Sequence, residues 1–106
     1  MYEYACTVLR VLDGDTIEAD LDLGFRLRYR AKVRLALIQA PERSTDAGEA
    51  SAAYLTTLLQ GHTVVVRTLK QKEFEKYGRV LGELLVEGRS VNDQLVADGY
   101  AAYSKG

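Results

Sequence analysis

The sequence predicts an α+β fold, mainly β, with a five-stranded OB-type β-barrel and two helices. Five segments carry the β-branched or alternating pattern of strands, and two carry the apolar period of helices. Their order along the chain is β-β-β-α-β-β-α, and three strands, a helix and two strands is the order of an OB-type barrel. With 106 residues and no linker or repeat, a single domain over 1–106 is expected.

The first three predicted strands occupy the N-terminal third of the chain. Residues 6–12 are β-branched and aliphatic, and a turn signal follows at 13–15. Residues 16–22 and 26–35 both alternate between apolar and charged side chains. This period of two on both sides of Leu23-Gly24-Phe25 predicts a β-hairpin.

The charges of this hairpin predict its register. A three-residue connection places acids of one strand opposite bases of the next: Asp22 with Arg26, Asp20 with Arg28, and Glu18 with Arg30. The other face then pairs apolar or aromatic residues throughout: Leu21 with Leu27, Ala19 with Tyr29, and Ile17 with Ala31. The arginines of this stretch are therefore expected to be neutralised by the neighbouring strand rather than available to phosphate.

The middle of the chain predicts the end of the third strand and the first helix. Residues 36–39 are expected to continue the third strand as far as Pro41. Residues 48–60 place their apolar side chains at helical spacing, and Gly61 is a typical helix terminator.

The C-terminal third predicts two strands and a second helix. Residues 63–69 and 80–86 have the composition of strands, and the charged segment 70–79 is expected to form a loop between them. The second helix is predicted over roughly residues 91–98, with Ser90 as its N-cap.

The composition excludes several classes of function. One cysteine, Cys6, allows no internal disulfide, and one histidine, His62, leaves little basis for a histidine metal site or a Ser-His triad. A net charge of −1 argues against binding nucleic acid through bulk positive charge. No apolar run approaches membrane-spanning length, so no membrane association is expected. A monomer is also expected. The N-terminus shows no secretion signal, which slightly favours the cytoplasm.

Three stretches carry the groups that phosphodiester hydrolysis requires. These stretches are 13–16, 34–42 and 76–79, and all of them lie at predicted strand ends or loop junctions. The reaction needs a positioned water, a base for its proton and positive charge on the phosphate oxygens. Arginine suits the last role because its planar fork binds two oxygens at once.

Five motifs in order resemble the staphylococcal nuclease, or thermonuclease, family over nearly the whole chain. They are DGDT at 13–16, R-x-x-x-x-x-A-P-E at 34–42, GEAS at 48–51, YGR at 77–79 and VN-x-x-L at 91–95. Each motif alone is weak, but the ordered set is specific. The resemblance implies a nuclease, and an endonuclease in particular, that acts on DNA, RNA or both.

The resemblance also implies roles for the matched residues. Arg34 and Arg79 would clamp the scissile phosphate, and Glu42 would activate the attacking water. Asp15 would be a ligand of a calcium ion. Four further residues would bind the substrate, two at a neighbouring phosphate and two by stacking on a base: Lys76, Tyr77, Tyr100 and Tyr103.

Gln39 departs from the family pattern, which has a calcium-binding aspartate at this position. A glutamine amide oxygen can bind calcium but brings no charge to the site. The neighbouring Ala40 replaces a frequent threonine, although only its backbone carbonyl would be a ligand. The resemblance therefore implies a weakened calcium site, with three alternatives: a need for high calcium, use of another divalent ion, or loss of cleavage.

Two other hypotheses stay open beside the nuclease. One is a non-catalytic OB-type module that binds nucleic acid or protein and has a degenerate metal site. The other is a purely structural barrel. Arg34, Glu42 and Arg79 favour the enzyme, because a binding module has no physical need for a carboxylate between two arginines. Metal-dependent cleavage distinguishes the first hypothesis from the other two.

Overall fold

The computed structural model describes residues 2–68 and 79–104. Within these ranges the chain forms eight strands and two helices. In chain order they are β1 Glu3–Asp13, β2 Thr16–Gly24, β3 Leu27–Leu35, β4 Ile38–Gln39, α1 Asp46–Leu59, β5 Val64–Thr68, β6 Val80–Val86, β7 Arg89–Ser90, α2 Val91–Ala97 and β8 Ala102–Tyr103. The charged segment 70–79 lies outside the described residues, except for its last residue.

Five of the strands close into a barrel, which confirms the predicted fold class. The strand order is β3-β2-β1-β5-β6, and a parallel pairing of β3 with β6 closes the ring. The remaining neighbours in the ring are antiparallel. Closure pairs the edges that an open sheet would leave exposed. It also brings the end of β3 beside the beginning of β6, where two of the predicted site arginines are located.

The inward-facing residues of the strands and one face of each helix form a common hydrophobic core. Ile17, Val33 and Leu84 line the barrel interior without solvent exposure. Leu55 of α1 and Leu95 of α2 are equally buried and belong to the same cluster. The helices therefore cover the barrel through the apolar faces that their sequence period predicts. In the described part of the chain, neither helix is long and apolar enough to cross a membrane.

The predicted register of the hairpin is wrong by two residues. Asp22 lies opposite Arg28, instead of Arg26, because the chain reverses through Phe25 and Arg26 and the ladder is irregular between Asp22 and Gly24. Phe25 and Arg26 have positive φ angles of 54° and 64°. Two left-handed residues form the turn that best matches the twist of paired strands. A two-residue shift keeps each side chain on its face, so the charge pattern does not exclude it.

The ion pairs of the hairpin run diagonally between the strands. Arg28 Nε contacts Asp20 Oδ2 at 2.7 Å, and Arg30 Nη2 contacts Glu18 Oε1 at 3.1 Å. These are the charge partners that the sequence predicts, although they are not direct cross-strand neighbours. Neutralisation is therefore confirmed for Arg28, whereas Arg30 shares Glu18 with Arg10. Arg26 forms no ion pair with any described residue.

Residues 36–39 do not continue the third strand. β3 ends at Leu35, and a turn follows in which Leu37 has a φ angle of 65°. The chain then enters the short β4, which pairs with β8 near the C-terminus. This pairing joins positions far apart in sequence, so local periodicity contains no signal for it.

Both predicted helices are present, with small differences at their ends. α1 begins two residues earlier than predicted, because the side chain of Thr45 accepts a hydrogen bond from the Gly48 amide and caps the helix. Ser90 caps α2 in the same way through the Asp93 amide, as predicted. The two C-terminal strands also form close to their predicted positions, with the β6 bounds confirmed.

Asn92 connects α2 to the segment that follows β3. Its side-chain oxygen accepts a hydrogen bond from the Leu84 amide at 3.1 Å, and its side-chain nitrogen donates to the Ala36 carbonyl at 3.0 Å. The residue is buried, so these partners satisfy groups that water does not reach. The asparagine of the VN-x-x-L motif therefore has a structural position that holds the turn leading into the candidate site.

Candidate active site

A polar cleft lies at the end of the barrel where β2 begins and β3 ends. It encloses about 440 Å³. The cleft is lined by residues of the β1–β2 turn, the segment after β3 and the start of β6: Asp13, Asp15, Thr16, Arg34, Gln39, Ala40, Pro41, Glu42, Arg43 and Arg79. The structure thus brings the proposed catalytic and metal-binding residues into one cavity, although they come from separate stretches of sequence.

Asp15 is fixed in the tight turn between β1 and β2. Its side chain is almost fully buried, and Oδ2 accepts a hydrogen bond from the Ala40 amide at 2.8 Å while Oδ1 accepts one from the Thr16 hydroxyl at 3.1 Å. The preceding Gly14 lies against α1, because a β-carbon there would come within 1.9 Å of Ser51 Oγ. The DGDT and GEAS motifs therefore meet, and the missing side chain lets the turn approach the helix.

Arg34 lies deep in the cleft and is bonded on several sides. Nη1 donates to the Leu35 carbonyl at 2.5 Å, and Nη2 donates to the Ile38 carbonyl at 2.7 Å and to Gln39 Oε1 at 3.2 Å. Nη2 also lies 3.6 Å from Asp15 Oδ2, and the arginine side chain is only 14% exposed. Arg34 therefore orders the turn after β3 and takes no part in the charge ladder of the hairpin.

Glu42 lies at the exposed rim of the cleft, and its backbone is fixed by the beginning of α1. Its carbonyl accepts hydrogen bonds from the Thr45 amide at 3.0 Å and the Thr45 hydroxyl at 2.7 Å. Gly48 packs directly against this carbonyl, since a β-carbon at Gly48 would lie 1.7 Å from the oxygen. The carboxylate is thus free to face solvent while its main chain is held in place.

The cleft contains further charged residues beside the predicted ones. Arg79 precedes β6 and is partly buried in the cleft lining. Asp13 and Arg43 also line the cleft, and Arg43 Nη1 donates to the Leu12 carbonyl at 2.8 Å. The motifs imply no role for these two residues. Asp13 is the first residue of the DGDT motif and Arg43 follows Glu42, and these positions are the signal that the sequence offers.

The four predicted substrate-binding residues are not placed in the cleft by the described structure. Tyr100 stacks on Tyr54 with ring centroids 4.2 Å apart. The Tyr103 hydroxyl donates to Asp93 at 3.0 Å, and neither Tyr100 nor Tyr103 lines the cleft. Lys76 and Tyr77 lie outside the described residues. The stacking and phosphate-binding roles of these four residues stay predictions.

The Tyr54–Tyr100 pair is held by its own polar contacts. The Tyr54 hydroxyl donates to Asp98, and Gln94 Nε2 donates to the same carboxylate oxygen at 2.6 Å. The hydrogen bond from Tyr54 and then that from Gln94 hold the pKa of Asp98 below its usual value. Tyr100 is therefore positioned by packing between the two helices.

The donor set of the cleft consists entirely of oxygens, which suits a hard cation such as calcium. Its charge is low, however. Asp15 supplies a buried carboxylate that already accepts two hydrogen bonds, and Gln39 Oε1 accepts one from Arg34. No group of three or more acidic, histidine or cysteine side chains converges on a metal position among the described residues. These residues thus fit a cation whose ligands are mostly neutral oxygens, including those of water.

Comparison with known proteins adds an independent line of evidence. A family model described as staphylococcal nuclease homologue matches residues 32–105. An uncharacterized endonuclease of Escherichia coli is 38% identical over 95 residues, which covers 89% of this chain and 57% of that protein. A micrococcal nuclease of Shigella flexneri is 39% identical over 75 residues, covering 71% of this chain and 38% of the relative.

A third relative shows the same domain within a much longer protein. Endonuclease YhcR of Bacillus subtilis (strain 168) is 33% identical over 111 residues, which covers 93% of this chain but 9% of that protein. The chain spans about half the length of the Escherichia coli relative. The likeness therefore concerns the domain described above and leaves the rest of each relative unmatched.

Proposed function

The chain belongs to the staphylococcal nuclease homologue family, and from this membership we propose that it is a nuclease that hydrolyses phosphodiester bonds with a divalent metal ion. The names of its relatives, endonuclease and micrococcal nuclease, support nuclease activity in general. The observation that carries the proposal is the presence of Glu42 and two arginines in one cleft beside Asp15. A carboxylate base and guanidinium donors are the groups that this hydrolysis requires.

Glu42 is the proposed general base. Its exposed carboxylate lies at the rim, where water reaches it, and its fixed backbone limits where the carboxylate moves. It takes a proton from a water that attacks phosphorus in line with the leaving sugar oxygen. Holding base and water at the right separation converts a random encounter into an intramolecular step.

Arg34 and Arg79 are the proposed phosphate clamps. In the transition state negative charge accumulates on the phosphate oxygens, and pre-positioned guanidinium groups stabilise it without reorganising. Arg34 is preorganised by its bonds to backbone carbonyls and to Gln39. Its low exposure reduces screening by water and strengthens its field at the cleft.

Calcium is the proposed metal, and another divalent ion is the alternative. Asp15, the Gln39 amide oxygen and the backbone carbonyl of Ala40 would hold it. When bound, such an ion adds positive charge beside the phosphate and polarises its oxygens. The low charge of this donor set predicts weaker calcium binding than a site with two carboxylates would have.

Cleavage of single-stranded DNA and RNA across a calcium series tests the proposal. We expect cleavage that requires the metal and stops with a chelator, with half-maximal activity at a high calcium concentration. Magnesium and manganese series show whether another ion serves better. A folded sample that cleaves neither substrate with any of the three ions would contradict the nuclease. Salt-sensitive binding without cleavage would then identify a binding module.

The Gln39→Asp variant is expected to bind calcium about tenfold more tightly, because it adds an anionic ligand. Gln39→Asn is the matched control, since it has the aspartate's length without its charge. Calorimetry measures the affinity directly and requires no activity. Equal calcium affinity in Gln39→Asp and the parent protein would refute this account of the site.

We propose further that residues 1–106 act as a single domain on DNA, RNA or both. One hydrophobic cluster unites Tyr4 near one end of the chain with Ala101 near the other, which supports a single folding unit. A monomer is expected, and light scattering at several concentrations measures the mass in solution.

A further inference from the structure

β3 carries a row of bases on the face that points away from the core. Its alternate residues Ala31, Val33 and Leu35 are buried, whereas the opposite face presents four bases. We call this row the basic stripe: Arg28, Arg30, Lys32 and Arg34. The ladder with β2 is regular from the Thr16–Arg34 pair to the Asp22–Arg28 pair, so these side chains share one face.

The basic stripe connects the cleft to the far end of the hairpin. Arg34 lines the cleft, and Arg28 lies near the turn at the other end of β3. Six residues of strand separate the two arginines, which corresponds to roughly 20 Å. A stacked nucleic acid strand carries one phosphate per 3.4 Å, so the stripe runs beside about six nucleotides.

The acids of β2 do not fully neutralise this face. Glu18 is shared between Arg10 Nε at 3.2 Å and Arg30 Nη2 at 3.1 Å, so one carboxylate serves two guanidinium groups. Arg30 remains 68% exposed, and Lys32 forms no ion pair with any residue that the structure describes. Arg28 is paired with Asp20 at 2.7 Å, so the excess of positive charge lies at Arg30 and Lys32, between that pair and the cleft.

The turn at the end of the hairpin exposes an aromatic ring. The Phe25 side chain is 97% exposed, and its φ angle of 54° is one that glycine adopts far more readily than a bulky residue. Arg26 follows it in the same left-handed conformation. An aromatic residue kept in a strained and fully solvated position makes no contribution to the core, so it points to contact with a ligand.

We infer that the basic stripe and the Phe25–Arg26 turn bind the part of a single-stranded nucleic acid that extends beyond the cleft. The stripe contacts about every second phosphate and Phe25 stacks on a base. Phosphate contacts and base stacking are the usual combination for single strands. A row of positive charges that begins at Arg34 matches the linear array of phosphates in a nucleic acid strand. A flat lipid surface would contact only the Phe25–Arg26 turn. The inference rests on the proposed function, since the strand enters from the cleft.

Binding of labelled oligonucleotides, followed by fluorescence anisotropy, tests this inference. The Glu42→Gln background slows cleavage, and single strands of 4 and 12 nucleotides separate cleft binding from stripe binding. We expect the 12-mer to bind at least tenfold more tightly than the 4-mer. The double change Arg30→Gln and Lys32→Gln should remove most of this difference and reduce the salt dependence by about 0.7 per lost phosphate contact. Arg89→Gln, outside the stripe, removes one positive charge and is the matched control for Arg30→Gln and Lys32→Gln as single variants.

Phe25→Gly separates a binding role from a structural one. Glycine suits the left-handed turn, so the melting temperature should stay equal or rise. Affinity for the 12-mer should nevertheless fall by about tenfold, because base stacking is lost. A structural role would move the two quantities in the same direction.

Three results would overturn the inference. The first is equal affinity for the 4-mer and the 12-mer, and the second is unchanged 12-mer affinity in the stripe double variant. The third is a loss of 12-mer affinity in Arg89→Gln as large as in the single stripe variants. Association with phosphatidylserine vesicles in place of oligonucleotides would assign the turn to a membrane instead. Anisotropy measures binding and requires no catalysis, so it tests the role of the stripe even if the parent protein cleaves neither DNA nor RNA. Failure of cleavage then counts against the proposed nuclease alone.

Discussion

Replacing Glu42 with glutamine is expected to lower kcat by about 10²–10⁴-fold, the contribution typical of a general base. The fold should be unaffected, because the carboxylate is exposed and the contacts that fix this residue come from its backbone carbonyl. Substrate affinity should also change little, since the arginines that bind phosphate are retained. Steady-state cleavage of a short oligonucleotide, with circular dichroism of the same samples, measures both effects.

A control variant separates the role of the Glu42 carboxylate from a general loss of negative charge. The loss in kcat should be specific to this carboxylate and should not follow the removal of a nearby acid in general. Glu49→Gln is the matched control, because Glu49 is an exposed glutamate in the first turn of α1 and does not line the cleft. If Glu42→Gln retained activity within tenfold of the parent, the base would have to be sought elsewhere in the cleft, with Asp13 as the first candidate.

Gly48→Ala is expected to damage both stability and catalysis. In an ordinary helix this change stabilises by about 1 kcal/mol, because alanine is the better helix former. Here the new β-carbon would lie 1.7 Å from the Glu42 carbonyl oxygen and 2.9 Å from the Arg43 Cα. The backbone before α1 has to move, so we expect a loss of about 2 kcal/mol in the free energy of unfolding. A displacement of Glu42 by about 1 Å should lower kcat roughly 100-fold.

Ala50→Gly is the control for Gly48→Ala. It changes helix propensity at an exposed position two residues along α1, so it should lower stability by about 1 kcal/mol and leave kcat unchanged. Urea denaturation gives the stability difference, and kcat is measured where all samples are folded. A Gly48→Ala protein as stable and as active as the parent would show that the contact with Glu42 is easily relieved.

The position of Gln39 connects the metal site with the phosphate clamp. Its amide oxygen accepts a hydrogen bond from Arg34, and Arg34 Nη2 also lies 3.6 Å from Asp15. Arg34, which is permanently charged, thus already contacts two of the oxygens proposed as metal ligands. Because like charges repel, a metal ion and Arg34 have to share this electrostatic environment. The calcium affinity of the Gln39 variants is therefore the sharpest measure of how strongly the cleft depends on a metal.

The sequence by itself determined the five barrel strands, the two helices and most of the composition of the cleft. Alternation of apolar and charged residues predicted which faces of β2 and β3 are buried, and Ser90 was recognised as a helix cap from its local context. These signals are local, since a strand repeats every two residues and a cap bonds within one turn. The ordered motifs also predicted the stretches that line the cleft.

The tertiary structure decided the register of the hairpin and the pairing of β4 with β8. It also decided the packing of Gly48 on Glu42 and the stacking of Tyr100 on Tyr54. A register shift of two residues preserves every buried face, so only the left-handed turn distinguishes the alternatives. The other contacts, including the bonds of Arg34 to the chain after β3, depend on which backbone segments approach each other when the barrel closes. A linear pattern of residue types carries no information on those distances.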